Sequence, residues 1–163
     1  MPAVLSIVGK SDSGKTTLIE RLIPELKRRG YRIGVVKHAH HGFDMDRKGK
    51  DSYRHRKAGA DIAMIASPGQ IAMIKDVPGE NLANLIPYFD DVDLLITEGF
   101  KRDGAAKIEV FRLERHRHPA CLEDGTLIAM VSDAPLEVAV PQFATEDITA
   151  ITEFIVARFL CVP

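Results

Sequence analysis

The sequence predicts one α/β domain with a mostly parallel central sheet flanked by helices and an inserted β-hairpin at about residues 61–76. Three observations predict it. An apolar run (AVLSIV), an amphipathic run and a second apolar run (IGVVK) follow one another within about 35 residues. That is a strand–helix–strand unit, which forces parallel pairing through a right-handed crossover. A further apolar run, DLLIT, ends in an acid and a glycine. Finally, the polar interval between the first strand and the first helix carries glycines at fixed offsets.

Residues 3–8 are short, apolar and free of alternation, as a strand buried on both faces requires. In residues 16–29 the apolar side chains Leu18, Ile19, Leu22, Ile23 and Leu26 fall on one helical stripe, with Pro24 inside it as a candidate kink and Gly30 placed to end it. Residues 33–37 form the second strand. Residues 38–60 then lose the apolar stripe, and a helix is expected to begin near Asp51, with its carboxylate capping the first amides. Two apolar runs flank Ser67-Pro68-Gly69-Gln70, and proline followed by glycine at the centre of four residues predicts a type II turn and a hairpin. Residues 82–89 predict a short helix. Residues 91–101, 107–112, 127–131 and 137–140 predict further strands, and residues 148–160 a final helix with an acidic first turn. All of this fits a single domain over residues 1–163, with a basic loop and hairpin insertion at about 38–80.

Composition narrows the function. The chain has 163 residues and a formal net charge of −1, with 45% apolar and 28% charged residues. No general basic excess points to a nucleic-acid or membrane-surface binder. No apolar stretch approaches the ~20 residues needed to span a bilayer. Met1 leads straight into the first strand without a basic segment or cleavage pattern, so no signal peptide is expected. Cys121 and Cys161 have no metal-ligand spacing, and a reducing cytoplasm is the expected setting.

The glycine-bearing interval reads Gly9-Lys10-Ser11-Asp12-Ser13-Gly14-Lys15-Thr16, the pattern G-x-x-x-x-G-K-[ST] of a phosphate-binding P-loop, or Walker A motif. Glycines admit the backbone angles that turn successive N–H groups onto one anion, and the helix beginning near Lys15 adds its positive end. Lys15 is placed for β- and γ-phosphate oxygens, and the Thr16 hydroxyl for Mg²⁺. Phosphoryl chemistry also needs a carboxylate at a strand's carboxyl end. Glu98 is favoured for the metal shell and for water; Asp93, at the strand's entry, reads as a strand-start residue. Asp44 and Asp46 read either as solvated loop acids or as members of the same metal and water shell. His38, His40 and His41 lack a fourth ligand at zinc spacing. With Lys37, Arg47, Lys48, Lys50, Arg54, His55, Arg56 and Lys57 they form either a solvated face or an anion-binding wall.

Taken together, GKSDSGKTTL, KHAHHGFDMDRKGKDSYRHRKAGA and DLLITEGFK resemble the molybdopterin-guanine dinucleotide biosynthesis protein B (MobB) family, from residue 3 to about residue 112. The long middle stretch is the specific part of the likeness. The resemblance implies a homodimeric GTP-binding adaptor with weak GTPase activity, in the class of the nitrogenase-iron-protein-like and signal-recognition-type NTPases. Its implied partners are molybdopterin and a MobA-type guanylyltransferase, which joins GMP to molybdopterin. On the matching positions, Gly9 and Ser11, Asp12, Ser13, Gly14, Lys15, Thr16 and Thr17 hold the nucleotide, and Glu98 with Gly99 forms the second nucleotide motif. Asp133 stands where relatives place a guanine-reading acid, although only V-S-D and no N-K-x-D is present; its other reading is a turn residue before Pro135. Lys10 stands where some relatives carry a lysine that reaches across a dimer. No arginine finger is evident in cis, which implies slow Mg²⁺-dependent hydrolysis. A small-molecule kinase with residues 47–57 as its lid is the alternative. The hairpin's apolar strands independently call for a covering partner, because uncovered edges aggregate.

Overall fold

The computed structural model describes residues 1–39, 42–43, 46–77, 79 and 81–161. It divides into two compact units, Met1–His38 with Asn81–Pro163, and Ala39–Glu80.

The first unit holds β1 (Ala3–Val8), α1 (Lys15–Arg28), β2 (Ile33–Lys37), β5 (Leu94–Glu98), β6 (Ala106–Phe111), β7 (Leu127–Ser132), β8 (Gln142–Ala144) and α3 (Ile148–Phe159). The sheet order is β2-β5-β1-β6-β7-β8, and every pairing is parallel. All carboxyl ends therefore share one edge, with β1 central and β5 and β6 on either side of it. One sheet face is closed by α1 and α3, where Leu18, Leu22, Leu26, Ile151 and Ile155 meet Leu5, Ile7, Ile96 and Val131. The other is closed by loops and 3₁₀ turns: Leu82 packs with Leu95 and Phe100, and Leu136, Val138 and Val140 lie on Val8, Phe111 and Met130. Gly34 is required there, since a Cβ at that position would stand 2.6 Å from the Phe89 ring.

α1 runs through Pro24 and ends where Gly30, at φ 92°, donates to the Lys27 carbonyl while Tyr31 donates to that of Leu26. This is a Schellman cap. At the far end of the chain, Asp147 caps α3 by accepting from the Ala150 amide at 3.3 Å, so the acid is the cap rather than part of the first turn.

Two expectations shift. Residues 82–89 form two 3₁₀ turns, Leu82–Asn84 and Ile86–Phe89, instead of a helix; Pro87 removes a donor there, and Asn81 caps the first turn through Ala83. The last strand lies at Gln142–Ala144, not 137–140. The apolar alternation of 136–140 serves packing onto the sheet face, while the Gln142 side chain bonds Leu136 and Ala134 and holds that turn closed.

The second unit holds α2 (Asp51–Lys57), β3 (Ile62–Ser67) and β4 (Gln70–Lys75). β3 and β4 pair antiparallel across Pro68-Gly69, with Gly69 at φ 80° as a type II turn requires. α2 begins at Asp51 as expected, but the Asp51 carboxylate pairs with Arg54 at 3.6 Å and no side chain caps the helix start. No helix among the described residues is long and apolar enough to cross a membrane.

Candidate functional site

The phosphate loop leaves the central strand at the sheet's carboxyl edge, where open parallel sheets bind their ligands. Its path depends on residues in the left-handed region: Gly9 at φ 143°, Asp12 at 59° and Gly14 at 95°. A Cβ on Gly9 would lie 2.4 Å from the Val110 carbonyl oxygen. Only glycine lets the loop lie this close to β6. Gly14 is the N-cap of α1 and supplies no side-chain acceptor, so the amides of the first turn keep their capacity for an anion.

Lys15, Thr16 and Glu98 come together as expected. Thr16 Oγ1 donates to Glu98 Oε1 at 2.9 Å, joining the carboxyl end of β5 to the first turn of α1. Lys37 reaches the same carboxylate oxygen at 3.3 Å. Lys15 Nζ donates to the Lys10 carbonyl at 2.7 Å. Burial pushes the Lys15 pKa below its ordinary value against the pull of Glu98, and Lys101 and Lys37 push it further down. An ammonium thus destabilised gains most from an arriving anion. Thr16 and Glu98 supply two hard oxygens, the small protein share that Mg²⁺ takes when phosphates and water complete its shell. Among the described residues no group of three or more His, Cys, Asp or Glu could cage a metal.

Other expected residues lie elsewhere or are engaged. Asp93 does stand at the strand's entry, accepting from the Arg32 amide at 2.7 Å. Asp133 follows β7 on the carboxyl edge, and its Oδ1 accepts from the Leu113 amide at 2.9 Å. Lys10 Nζ donates to the His118 carbonyl of its own chain at 2.7 Å. Asp46 belongs to the second unit, where its buried carboxylate accepts from Ser52 Oγ at 2.8 Å and pairs with Arg56 at 3.8 Å. Arg56 also reaches Asp76 at 3.5 Å. Part of the expected basic wall is thereby spent on holding that unit together. Asp44, His40 and His41 lie outside the described residues. His38 stacks on Phe100, with centroids 4.7 Å apart, beside Gly99.

A strap the sequence reading missed runs from Arg112 to Cys121. Its His116 Nε2 donates to the Ser11 carbonyl at 2.7 Å, and its His118 carbonyl receives Lys10. Glu109, buried on β6, anchors it by accepting from the Ala120 and Cys121 amides at 2.6 and 2.8 Å. The signal was present: RLERHRH places five cationic or imidazole side chains directly after a strand that ends beside the phosphate loop.

With this geometry in view, likeness to known proteins becomes informative. The profile of the family described as molybdopterin guanine dinucleotide synthesis protein B, MobB, matches residues 4–133. The chain belongs to the MobB family. It is 40% identical over 162 residues to the molybdopterin-guanine dinucleotide biosynthesis adapter protein of Escherichia coli K12, covering 96% of this chain and 93% of that one. The adapter protein of the same name from Haemophilus influenzae is 37% identical over 155 residues, covering 93% and 86%. A crystal structure titled molybdopterin-guanine biosynthesis protein B superposes with a TM-score of 0.73 at 36% identity, over 94% of this chain and 97% of that one. The MobB match ends at Asp133, so the phosphate loop, Glu98 and the strap all fall within it.

Proposed function

We propose that this chain is a GTP-binding adapter in molybdopterin guanine dinucleotide synthesis, with a slow Mg²⁺-dependent GTPase activity. The observation that carries the reading is Thr16 Oγ1 held 2.9 Å from Glu98 Oε1, next to Lys15 on the phosphate loop. Thr16 and Glu98 would hold Mg²⁺, which neutralises charge on the phosphate oxygens. Lys15 and the first-turn amides would stabilise the charge that develops on them. Glu98 then orients water, and Asp133, whose Oδ1 accepts from the Leu113 amide, has Oδ2 left for one N–H donor of guanine. Membership of the MobB family supports the adapter role, with a MobA-type guanylyltransferase and molybdopterin as partners.

The hairpin supports a homodimer. Ile62, Met64, Ile71 and Met73 share one face of β3 and β4, and all four are exposed. A two-stranded sheet with such a face is marginal alone and prone to associate. Light scattering at micromolar concentration is expected to give twice the chain mass; a monomer would count against this part.

The deciding measurement is calorimetric titration of GTP and ATP with and without Mg²⁺. Saturable, Mg²⁺-dependent binding that prefers GTP is expected. Absence of any triphosphate affinity would remove the reading, and rapid phosphoryl transfer to a nucleoside or pterin acceptor would replace it with a kinase.

A further inference from the structure

Resting on the nucleotide-binding reading above, we propose that Arg112 is a ligand of the nucleotide's α-phosphate, supplied in cis from the end of β6.

Strand order sets its position. β5 and β6 flank β1, so Glu98 and Arg112 approach the phosphate loop from opposite sides. Lys15, Thr16 and Glu98 mark the metal and terminal-phosphate end. A triphosphate crossing the loop from that end meets the β6 side with its nucleoside end. There Arg112 lies against the residue that opens α1: a Cβ on Gly14 would be 3.3 Å from its Nε and 3.4 Å from Nη2. It shares a cleft with Ser13, Thr17, Arg21, Thr145 and Glu146.

The side chains of this cleft are unequally satisfied. Arg21 has a counter-charge, paired with Glu146 at 2.8 Å and donating to the Thr145 carbonyl at 3.2 Å. Arg112 has no ion pair among the described residues, and its buried Nε has no hydrogen-bond partner. Ser13 Oγ, fully buried in the same cleft, has none either. A guanidinium partly withdrawn from water without a counter-charge is costly, whereas its planar fork matches a phosphate with two parallel bonds. The α-phosphate is the anion that the loop would bring to this spot. Ser13 and Thr17 line the same cleft.

The test is calorimetric titration of GTP and of GDP, in Mg²⁺ buffer, into the whole protein and its Arg112→Gln variant. Thermal unfolding of the free protein is followed in parallel. Both nucleotides carry the α-phosphate, so both affinities are expected to fall by the same factor, about tenfold or more, with the GTP-to-GDP ratio unchanged. Arg112→Lys, which keeps charge but not the fork, is expected to recover part of that loss and carries the comparison alone should the glutamine variant not fold. A loss confined to GTP would move the guanidinium to the γ-phosphate and overturn the assignment. Unchanged affinity for both nucleotides would overturn it too, while leaving GTP binding by the wild type intact. A wild type that binds neither nucleotide would overturn the broader reading along with it.

Discussion

Lys107 and Lys15 both leave bulk water in this fold, and their surroundings answer the charge in opposite ways. Lys107, buried on β6, is closed on every side: Asp124 Oδ2 at 2.9 Å, Thr126 Oγ1 at 2.5 Å and the Asp103 carbonyl at 2.6 Å. Lys15, half-buried in the phosphate loop, bonds one carbonyl; burial raises the cost of its charge against the pull of Glu98, and Lys101 and Lys37 add to that cost. One cation is finished by the protein. The other is held at a cost, as the proposed anion site requires. A saturated buried charge reads as structure and an unsaturated one as site, which is how a buried polar group's bonding separates the two roles.

The largest effect is expected where the saturated cluster is opened. Asp124→Ala leaves the Lys107 ammonium buried without its counter-charge and should cost about 3–5 kcal/mol in chemical denaturation. Adding Lys107→Met to it removes the charge itself and should recover most of that loss, as the double-mutant cycle would show. A double variant no more stable than Asp124→Ala would sink the account. The same cluster sets an acid limb. Hydrogen bonds from Thr126, with Lys107 adding to them, lower the Asp124 pKa from 3.8 to about 2. A depressed folded pKa gives stability that is present above the ordinary carboxylate value and lost as pH falls from about 4 through about 2. Replacing Asp124 should flatten the stability profile in that window.

Next comes the anchor of the strap. Glu109 accepts two amide donors, from Ala120 and Cys121, inside the core. Glu109→Gln offers one acceptor and one donor where two donors point inward, and should cost about 1–3 kcal/mol. If the strap positions the phosphate loop, nucleotide affinity should weaken together with stability. Full affinity in a destabilised variant would separate the strap from the site.

How much of this was legible follows the same division. The loop from Gly9 to Thr16 could be read because its chemistry is local: glycine angles, one lysine and one hydroxyl at fixed spacing. The apolar runs of β1, β5, β6 and β7 were equally plain, since a strand buried on both faces needs no partner to be recognised; β2 carries a similar run but lies at the sheet's edge with Val35 exposed. Leu136, Val138 and Val140 misled because period-two alternation marks side chains that face a core, whether or not their backbone pairs. Glu98 stands at a strand's exit, a place the sequence shows; for Arg112 and His116 the run RLERHRH was visible, but not its nearness to the phosphate loop. That nearness exists only because β6 lies beside β1, a neighbour relation fixed by the sheet order and by no short stretch of sequence. Asp46 read either as a solvated loop acid or as part of the metal shell, and its bonds to Ser52 and Arg56 lie within its own unit.

The smallest effect is the one that most sharpens the comparison. Lys15→Met removes an ammonium that the fold holds at a cost, together with its one bond to the Lys10 carbonyl. Those two changes oppose each other, so the stability of the nucleotide-free protein at pH 7 should stay within about 1 kcal/mol of wild type. Nucleotide affinity should be lost. The sign with pH is fixed: a lysine whose folded pKa is lowered binds its proton less tightly in the native state. The wild type therefore gains stability as pH rises through the folded value toward 10.5, and the methionine variant lacks that rise. Parallel denaturation series at pH 7 and pH 10 read it directly. Were Lys15→Met to unfold the chain as Asp124→Ala should, Lys15 would belong with Lys107 among the structural cations, and the distinction between a completed charge and a waiting one would fail at the residue where it matters most.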